Sequence, residues 1–148
     1  VLVRSLIDGA VEPLIIAMEL REIELKIEGK DDVQFEGDLY WTSEAIANIV
    51  KNCMEHTDQY GKVSVRFEEN PIYTSILIED TGSGINPEDL PNIFKRFYKG
   101  KSSSENSVGI GLSLAKTIID KQNGSIKAYN TDVGAAFKIK FYKQQVLN

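Results

Sequence analysis

A short segment, DTGSGI from Asp80 to Ile85, places a carboxylate and two glycines directly after an apolar run that predicts a β-strand. A carboxylate at the end of a buried strand can accept a hydrogen bond from an amino group of a planar heterocycle, and Gly82 and Gly84 leave room for the ring. The alternative is that Asp80 caps an ordinary turn and that the glycines supply positive φ angles. Taken alone, the segment favours the ordinary turn.

A second glycine-rich segment, VGIGLSLAK, lies where a polar loop becomes a predicted helix. Gly109 and Gly111 allow the backbone to approach a ligand closely, and the free amide groups of the first helical turn are donors for an anion. This pattern is compatible with a phosphate site. Two glycines before a helix also occur for packing reasons, so the segment alone is weak support.

Three polar side chains, Glu44, Asn48 and Asn52, recur every four residues on one face of a helix predicted from Tyr40 to Thr57. Side-chain amide oxygens can ligate Mg²⁺, which keeps several waters and binds substrate phosphates as well. Asparagine is a mediocre helix former, so two of them one turn apart invite a functional explanation. The competing interpretation is a solvated helix face.

The elements that must position these segments predict a two-layer α+β sandwich, in which helices cover one face of a mixed and mostly antiparallel sheet. At the N-terminus we expect a strand at residues 1–4, a helix opened by Ser5, and a strand ending at Gly29 that forms a hairpin with residues 33–38. Further along, the pattern predicts two strands around a turn at residues 70–71, a short helix over 87–97 capped by Asn86, a helix closed by Gly124, and a C-terminal hairpin.

Composition limits the possible functions. The 148 residues suffice for one sizeable core, so we expect a single domain over residues 1–148. The net charge of -5 argues against a nucleic-acid surface, which normally shows a basic excess. One cysteine, Cys53, excludes an internal disulfide, and no stretch approaches the roughly 18 apolar residues of a membrane span. We expect a soluble, cytoplasmic domain and, from its abrupt apolar start, part of a longer protein.

The three segments occur together and in a fixed order, and each supplies a different part of a nucleoside triphosphate site. At these residues the chain resembles the ATP-binding catalytic domain of bacterial two-component sensor histidine kinases, within the superfamily that includes gyrase, the mismatch-repair ATPases and the large heat-shock chaperones. NIVKNCMEHT resembles the asparagine box, DTGSGI and GIGLSLAK the first two glycine boxes, IFKRFY the phenylalanine box and GAAF the last glycine box. The resemblance covers essentially the whole chain.

The resemblance implies roles for individual residues in binding ATP and Mg²⁺. Asn52 matches the asparagine that ligates Mg²⁺, and Asn48 matches the position one turn earlier that helps to orient metal or water; these are the expected catalytic residues. Asp80 matches the aspartate that accepts from the adenine amino group. The other expected nucleotide-binding residues are Gly82, Gly84, Ile85, Phe94, Tyr98, Gly109, Ile110, Gly111 and Leu112, and a lid over ATP is expected at about residues 99–108.

Several residues depart from the family pattern. Members usually carry Lys and Tyr where this chain has Glu55 and His56, and a carboxylate cannot donate to phosphate. Ser113 and Ala135 replace a glycine and a threonine of the last two glycine boxes. These departures leave a nucleotide-binding regulatory module with weak or no transfer activity as an alternative. An anti-sigma-factor type serine kinase shares the fold, but the segment FKRFYKG argues against it.

The resemblance also implies partners. His56 is the only histidine of the sequence, and it lies inside the asparagine box. The γ-phosphate would therefore go to a histidine on a helical hairpin that this sequence lacks, elsewhere in the same full-length protein, and then to a response regulator. Because that hairpin carries most of the dimerisation in this family, we expect this chain to be a monomer and its parent a homodimer. Sensors of the family are often anchored in a membrane.

Overall fold

The computed structural model describes residues 1–98 and 111–144. Its helices are α1 (Val3–Val11), α2 (Ile15–Leu20), α3 (Leu39–Glu55) and α4 (Gly111–Asp120), with short 3₁₀ turns at Glu12–Leu14 and Leu90–Asn92. Its strands are β1 (Glu24–Glu28), β2 (Lys62–Glu69), β3 (Tyr73–Asp80), β4 (Gly124–Asn130) and β5 (Ala135–Tyr142).

The strands form one five-stranded sheet in the order β1-β2-β3-β5-β4. Only the β1–β2 pair is parallel, and the pairs β2–β3, β3–β5 and β4–β5 are antiparallel. The strand β3 therefore lies at the centre of the sheet, and its last residue, Asp80, is surrounded by neighbouring strands. This topology confirms the predicted mixed and mostly antiparallel sheet.

The core lies between one face of the sheet and the helices α1, α3 and α4. Alternate residues of β2 and β3, such as Val63, Val65 and Ile78, are fully buried, as strand periodicity requires. The predicted apolar stripe of α3 is confirmed and packs against them; it consists of Ala45, Ile46, Ile49, Val50 and Cys53. The opposite face of the sheet carries charged side chains such as Arg66, which pairs with Glu79 at 2.8 Å. The two-layer arrangement is confirmed.

The predicted N-terminal strand is wrong. The helix α1 begins at Val3, and Leu2 forms only an isolated bridge with Gln34. The residues at helical spacing from Val3 are buried, so helical packing outweighs the local strand propensity. The helix is also interrupted at Pro13, which lies in the 3₁₀ turn between α1 and α2 and lacks the N–H that a continuous helix needs.

The predicted hairpin of β1 with residues 33–38 is also wrong, because β1 pairs in parallel with β2. Val33 and Phe35 are both buried, which explains the alternating pattern that suggested a strand. Their backbones bond instead to the start of the chain, where Val33 O accepts from Val3 N and Phe35 N donates to Val1 O, both at 3.0 Å.

Two helix boundaries differ from prediction. In place of a helix over residues 87–97, only Leu90–Asn92 forms a 3₁₀ turn, with Pro91 inside it. Asn86 still caps this segment, since its side chain accepts from Glu88 N at 3.0 Å. The helix α4 ends at Asp120, and the left-handed residue that follows is Asn123, with φ 59°; Gly124 instead opens β4.

Candidate nucleotide site

The side chain of Asp80 is fixed at the end of β3, where it is 3% exposed. Its Oδ1 atom accepts two backbone hydrogen bonds, from Gly82 N at 2.9 Å and from Ala135 N at 3.1 Å. The first bond closes the turn that follows β3, and the second reaches the start of β5. Two N–H donors from different segments therefore set the position of this carboxylate.

Two glycines beside Asp80 are required by close packing. A Cβ atom on Gly82 would lie 2.1 Å from the carbonyl oxygen of His56, and one on Gly134 would lie 2.1 Å from the carbonyl oxygen of Asp80. Gly84 has φ +78°, a conformation that side-chain-bearing residues rarely adopt. The turn interpretation of DTGSGI therefore accounts for the hydrogen bond from Gly82 N to Asp80 and for the positive φ of Gly84. The lack of a side chain at Gly82 has another reason, because it allows the end of α3 to pack against this loop.

The thiol of Cys53, on α3, lies against Asp80 in the core. Burial is the main cause that raises the pKa of Cys53 well above its usual range, and the charge of Asp80 and a hydrogen bond with its carboxylate raise it further. The thiol is therefore neutral. Its contact makes α3 a direct neighbour of the carboxylate.

The helix α3 also carries the two asparagines. Asn48 and Asn52 are both half-buried, whereas Glu44 on the same face is exposed. The Oδ1 atom of Asn48 lies 3.6 Å from the position of a Cβ on Gly111, the first residue of α4. Since Cys53 lies against Asp80, α3 connects the buried carboxylate at the end of β3 with the beginning of α4.

The other predicted site residues surround this region. Ile85, Phe94 and Leu112 are partly buried and pack against the core, and the Phe94 ring meets the Phe137 ring at 6.4 Å in an edge-on arrangement. The hydroxyl of Tyr98 donates to the buried carboxylate of Asp89, and this hydrogen bond raises the pKa of Tyr98. Gly109, Ile110 and the predicted lid lie outside the described residues.

The unusual pair Glu55 and His56 lies at the end of α3. Glu55 is exposed, and His56 is half-buried with its carbonyl oxygen against Gly82. Two side chains that position this region, Arg21 and Asn130, were not predicted from the sequence. Arg21 donates to the carbonyl oxygens of Met54 at 2.7 Å and Thr57 at 2.8 Å, and so holds the end of α3.

The second missed residue is Asn130, whose side chain holds the backbone of Ile85 through two hydrogen bonds of 2.7 Å each. The sequence contains a weak signal for it, because Asn130 begins the polar segment NTDVG that marks a turn. A turn signal does not reveal that the side chain reaches a loop 45 positions earlier.

Within residues 1–98 and 111–144, no three His, Cys, Asp or Glu side chains cluster so as to hold a metal ion. The amide oxygens of Asn48 and Asn52 are hard donors of the type that suits Mg²⁺ when phosphate oxygens and water complete its shell. Over the same residues, no helix has the length and apolar character that crossing a membrane requires.

Comparison with known proteins identifies the family. A sequence model described as "Histidine kinase-, DNA gyrase B-, and HSP90-like ATPase" matches residues 37–145, which include Asn48, Asn52, Asp80 and the hairpin that holds it. The chain belongs to this family. Together with the relatives described below, this match confirms the resemblance to the ATP-binding catalytic domain of sensor histidine kinases, and ATP is the nucleotide of the family.

The curated relatives are sensor kinases. The chain is 26% identical over 118 residues to sensor histidine kinase YvrG of Bacillus subtilis, covering 78% of this chain and 20% of that protein. It is 31% identical over 106 residues to sensor protein SrrB of Staphylococcus aureus, covering 69% of this chain and 18% of that protein. The chain thus spans about a fifth of the length of these relatives.

Solved structures confirm the fold. This chain superposes on a mycobacterial sensor histidine kinase, MprB, with a TM-score of 0.88 at 26% identity, and the superposition covers 96% of each chain. The histidine kinase ThkA, solved in complex with the response regulator TrrA, gives a TM-score of 0.80 at 23% identity, covering 95% of this chain and 40% of that one. The family and the α+β fold predicted from sequence are both confirmed.

Proposed function

We propose that this chain binds Mg·ATP and donates the γ-phosphate to a histidine on a separate phosphoacceptor domain of its full-length protein, from which a response regulator receives it. The observation that carries the proposal is the fixed carboxylate of Asp80. It is buried at the centre of the sheet and bonded to two backbone amides. A carboxylate held in this way is an acceptor placed in advance for the amino group of adenine.

The phosphate end of the site lies along α3. In this proposal Asn52 ligates Mg²⁺ through its amide oxygen, and Asn48 orients the metal or its water beside Gly111. The metal would neutralise charge on the phosphates, and the amides at the start of α4 would contact them. Phosphoryl transfer needs mainly positioning and charge neutralisation, so the lack of an acidic cluster among the residues that the structure describes is compatible with this role.

The acceptor histidine belongs to another domain in this proposal. His56 is half-buried and its backbone is packed against Gly82, within the nucleotide site itself. A neutral histidine ring nitrogen is itself a nucleophile, so this domain would supply little base chemistry. The known complex of ThkA with TrrA supports a response regulator as the downstream partner. We further propose that this domain alone is monomeric and cytoplasmic, whereas its parent is a homodimer.

Transfer to a phosphoacceptor domain tests the proposal directly. The chain is incubated with γ-labelled ATP, Mg²⁺ and the histidine-bearing hairpin domain of its own full-length protein. We expect label on the hairpin that is labile in acid and stable in alkali. The variant Asn52→Ala should lower the transfer rate by at least about 100-fold, because it removes the metal ligand.

A matched control is Asn70→Ala, since Asn70 lies in the turn between β2 and β3, where its side chain accepts from Ile72 N and Tyr73 N. Transfer by this variant should be unchanged. Label on a serine would instead indicate the anti-sigma-factor type of kinase. Binding of ATP without any transfer would favour the regulatory module, for which the exposed carboxylate of Glu55 is the supporting feature.

A further inference from the structure

The loop after β3 is held at both ends by a single pair of residues on the neighbouring hairpin. Asn130 ends β4 and Ala135 begins β5, and the two are direct partners in the strand register. Ala135 N donates to the carboxylate of Asp80 at 3.1 Å, at the start of the loop. Asn130 bonds to Ile85 at the other end of it. The positions of both loop ends therefore depend on one cross-strand pair.

The side-chain amide of Asn130 forms two hydrogen bonds with the backbone of Ile85, one as acceptor and one as donor. Oδ1 of Asn130 accepts from Ile85 N at 2.7 Å, and Nδ2 donates to Ile85 O at 2.7 Å. Only a side chain that carries both a donor and an acceptor can match a peptide group in this way. An aspartate would keep the acceptor and lose the donor.

The hairpin that presents Asn130 is itself held in shape. Thr131 N donates to Gly134 O at 2.8 Å, and Thr131 Oγ1 accepts from Gly134 N at 3.0 Å. Gly134 in turn packs directly on Asp80, where a Cβ atom would meet the Asp80 Oδ1 atom at 2.7 Å. Movement of the hairpin would therefore displace the carboxylate as well as the loop.

The loop between the two anchors requires this support. Gly84 has φ +78°, and a Cβ at this position would lie 2.9 Å from Oδ1 of Asn130. Glycine loses more conformational freedom on ordering than other residues do, and this loop contains two of them, Gly82 and Gly84. Without the anchor at Ile85, the loop would be free to leave the conformation in which Gly82 N bonds to Asp80.

We infer that Asn130 is a positioning residue for the nucleotide site, which orders the loop from Asp80 to Ile85 and so holds the Asp80 carboxylate ready for the base. The inference rests on the proposed function, because it assigns the ordered loop to adenine binding. Both side-chain polar atoms of Asn130 bond to the backbone of Ile85, so we assign its effect to the loop. Its effect belongs to base binding and not to phosphoryl transfer.

Calorimetric titration of Asn130→Ala with ATP and with ADP tests the inference. Loss of two hydrogen bonds from an ordered loop should weaken binding by about tenfold. The factor should be the same for ATP and ADP, because the phosphates are not involved. In transfer assays KM should rise while kcat stays unchanged. Asn130→Asp would place a carboxylate oxygen against the carbonyl oxygen of Ile85, where the amide now donates at 2.7 Å, so it should lose at least as much affinity as Asn130→Ala.

The control variant is Asn123→Gly, at the residue that precedes β4. Asn123 also donates from its side-chain amide to a backbone oxygen, that of Tyr142, at 3.1 Å. Its φ of 59° is one that glycine adopts readily, so the substitution removes the bond without backbone strain. The control should bind ATP as the unchanged protein does. An equal loss in the control would assign the effect to general destabilisation and overturn the inference.

Amide hydrogen exchange without nucleotide separates this inference from the proposed function. In Asn130→Ala the amides of Ile85, Gly82 and Ala135 should exchange faster, whereas that of Val65 in the sheet should not change. Faster exchange at these amides supports the ordering of the loop by Asn130 even if the unchanged protein binds no ATP. Absence of ATP binding would overturn the proposed function and, with it, the assignment of the loop to adenine binding. Unchanged exchange at Gly82 and Ala135, or unchanged ATP affinity of Asn130→Ala in a protein that binds ATP, would overturn the inference.

Discussion

The backbone N–H of Ala135 donates to the carboxylate of Asp80 at 3.1 Å, across 55 positions of the sequence. This bond joins the end of the central strand β3 to the start of β5, so the segments DTGSGI and GAAF form one structure. The helix α3 reaches the same point through Cys53 and through His56, whose carbonyl oxygen faces Gly82. Three segments of the chain therefore determine where one carboxylate lies.

Substitution of the close-packed glycines tests this geometry. Gly82→Ala and Gly134→Ala would each force a Cβ atom to 2.1 Å from a backbone oxygen, so the backbone has to shift. Each should lower the free energy of unfolding by about 2–4 kcal/mol and weaken ATP binding. Urea denaturation measures the first effect.

Gly9 offers the matched control, because it lies in α1 with no heavy atom within 4 Å of its Cβ position. Gly9→Ala should raise the free energy of unfolding by about 0.5–1 kcal/mol, since alanine is the better helix former. A loss of stability in all three variants, or in none, would contradict the assignment of close packing to Gly82 and Gly134.

The buried thiol of Cys53 predicts a specific dependence of stability on pH. Its pKa is raised well above 9.0 in the folded protein, first by burial, whereas the unfolded thiol keeps an ordinary pKa. Above that ordinary value the unfolded chain loses a proton that the folded chain retains, so stability falls as pH rises. The slope approaches about 1.4 kcal/mol per pH unit at most.

Urea denaturation of the unchanged protein and of Cys53→Ala, from pH 7 to pH 10.5, isolates this contribution. The stability difference between the two should be constant up to about pH 8 and should shrink above it, because the variant has no thiol to ionise. A difference that stays constant over the whole range would show that the Cys53 thiol does not resist ionisation.

Arg21 should stabilise the end of α3. Its guanidinium donates to the carbonyl oxygens of Met54 and Thr57, which are acceptors at the helix C-terminus and beyond it. Arg21→Ala should reduce the free energy of unfolding by about 1–2 kcal/mol.

The control for Arg21 is Arg66→Ala, which removes an exposed ion pair with Glu79 and should cost about 0–1 kcal/mol. Thermal denaturation of both variants, compared with the unchanged protein, measures the difference. Equal effects would mean that Arg21 acts only as another surface charge.

The sequence predicted the elements that have strong periodicity. The apolar stripe of α3, the alternation of β2 and β3, and the C-terminal hairpin all appear where their patterns indicated. Errors arose where burial and pairing depend on distant residues. Val33 and Phe35 alternate like a strand because both enter the core, yet their backbone partners are Val3 and Val1.

In the candidate site too, the sequence identified residues that belong to local motifs, but not residues whose role depends on distant contacts. The motif residues Asn48, Asn52 and Asp80 could be selected from sequence because their types and spacing match one ligand and a known family. Asn130 could not, because its role comes from a hydrogen bond to Ile85 that exists only in the folded chain. Gly134 was recognised as part of a motif, but its close contact with Asp80 required the structure.

Calorimetric titration with ATP, with and without Mg²⁺, shows whether Asp80 recognises the base of a bound nucleotide. The variant Asp80→Asn keeps one oxygen to accept from Gly82 N and Ala135 N, and replaces the other with a donor that cannot accept from an amino group. We expect saturable, Mg²⁺-dependent binding of ATP to the unchanged protein. Binding to a folded Asp80→Asn variant should be at least about tenfold weaker. Equal affinity of the two proteins for ATP, or no binding by the unchanged protein at millimolar ATP, would contradict base recognition by Asp80.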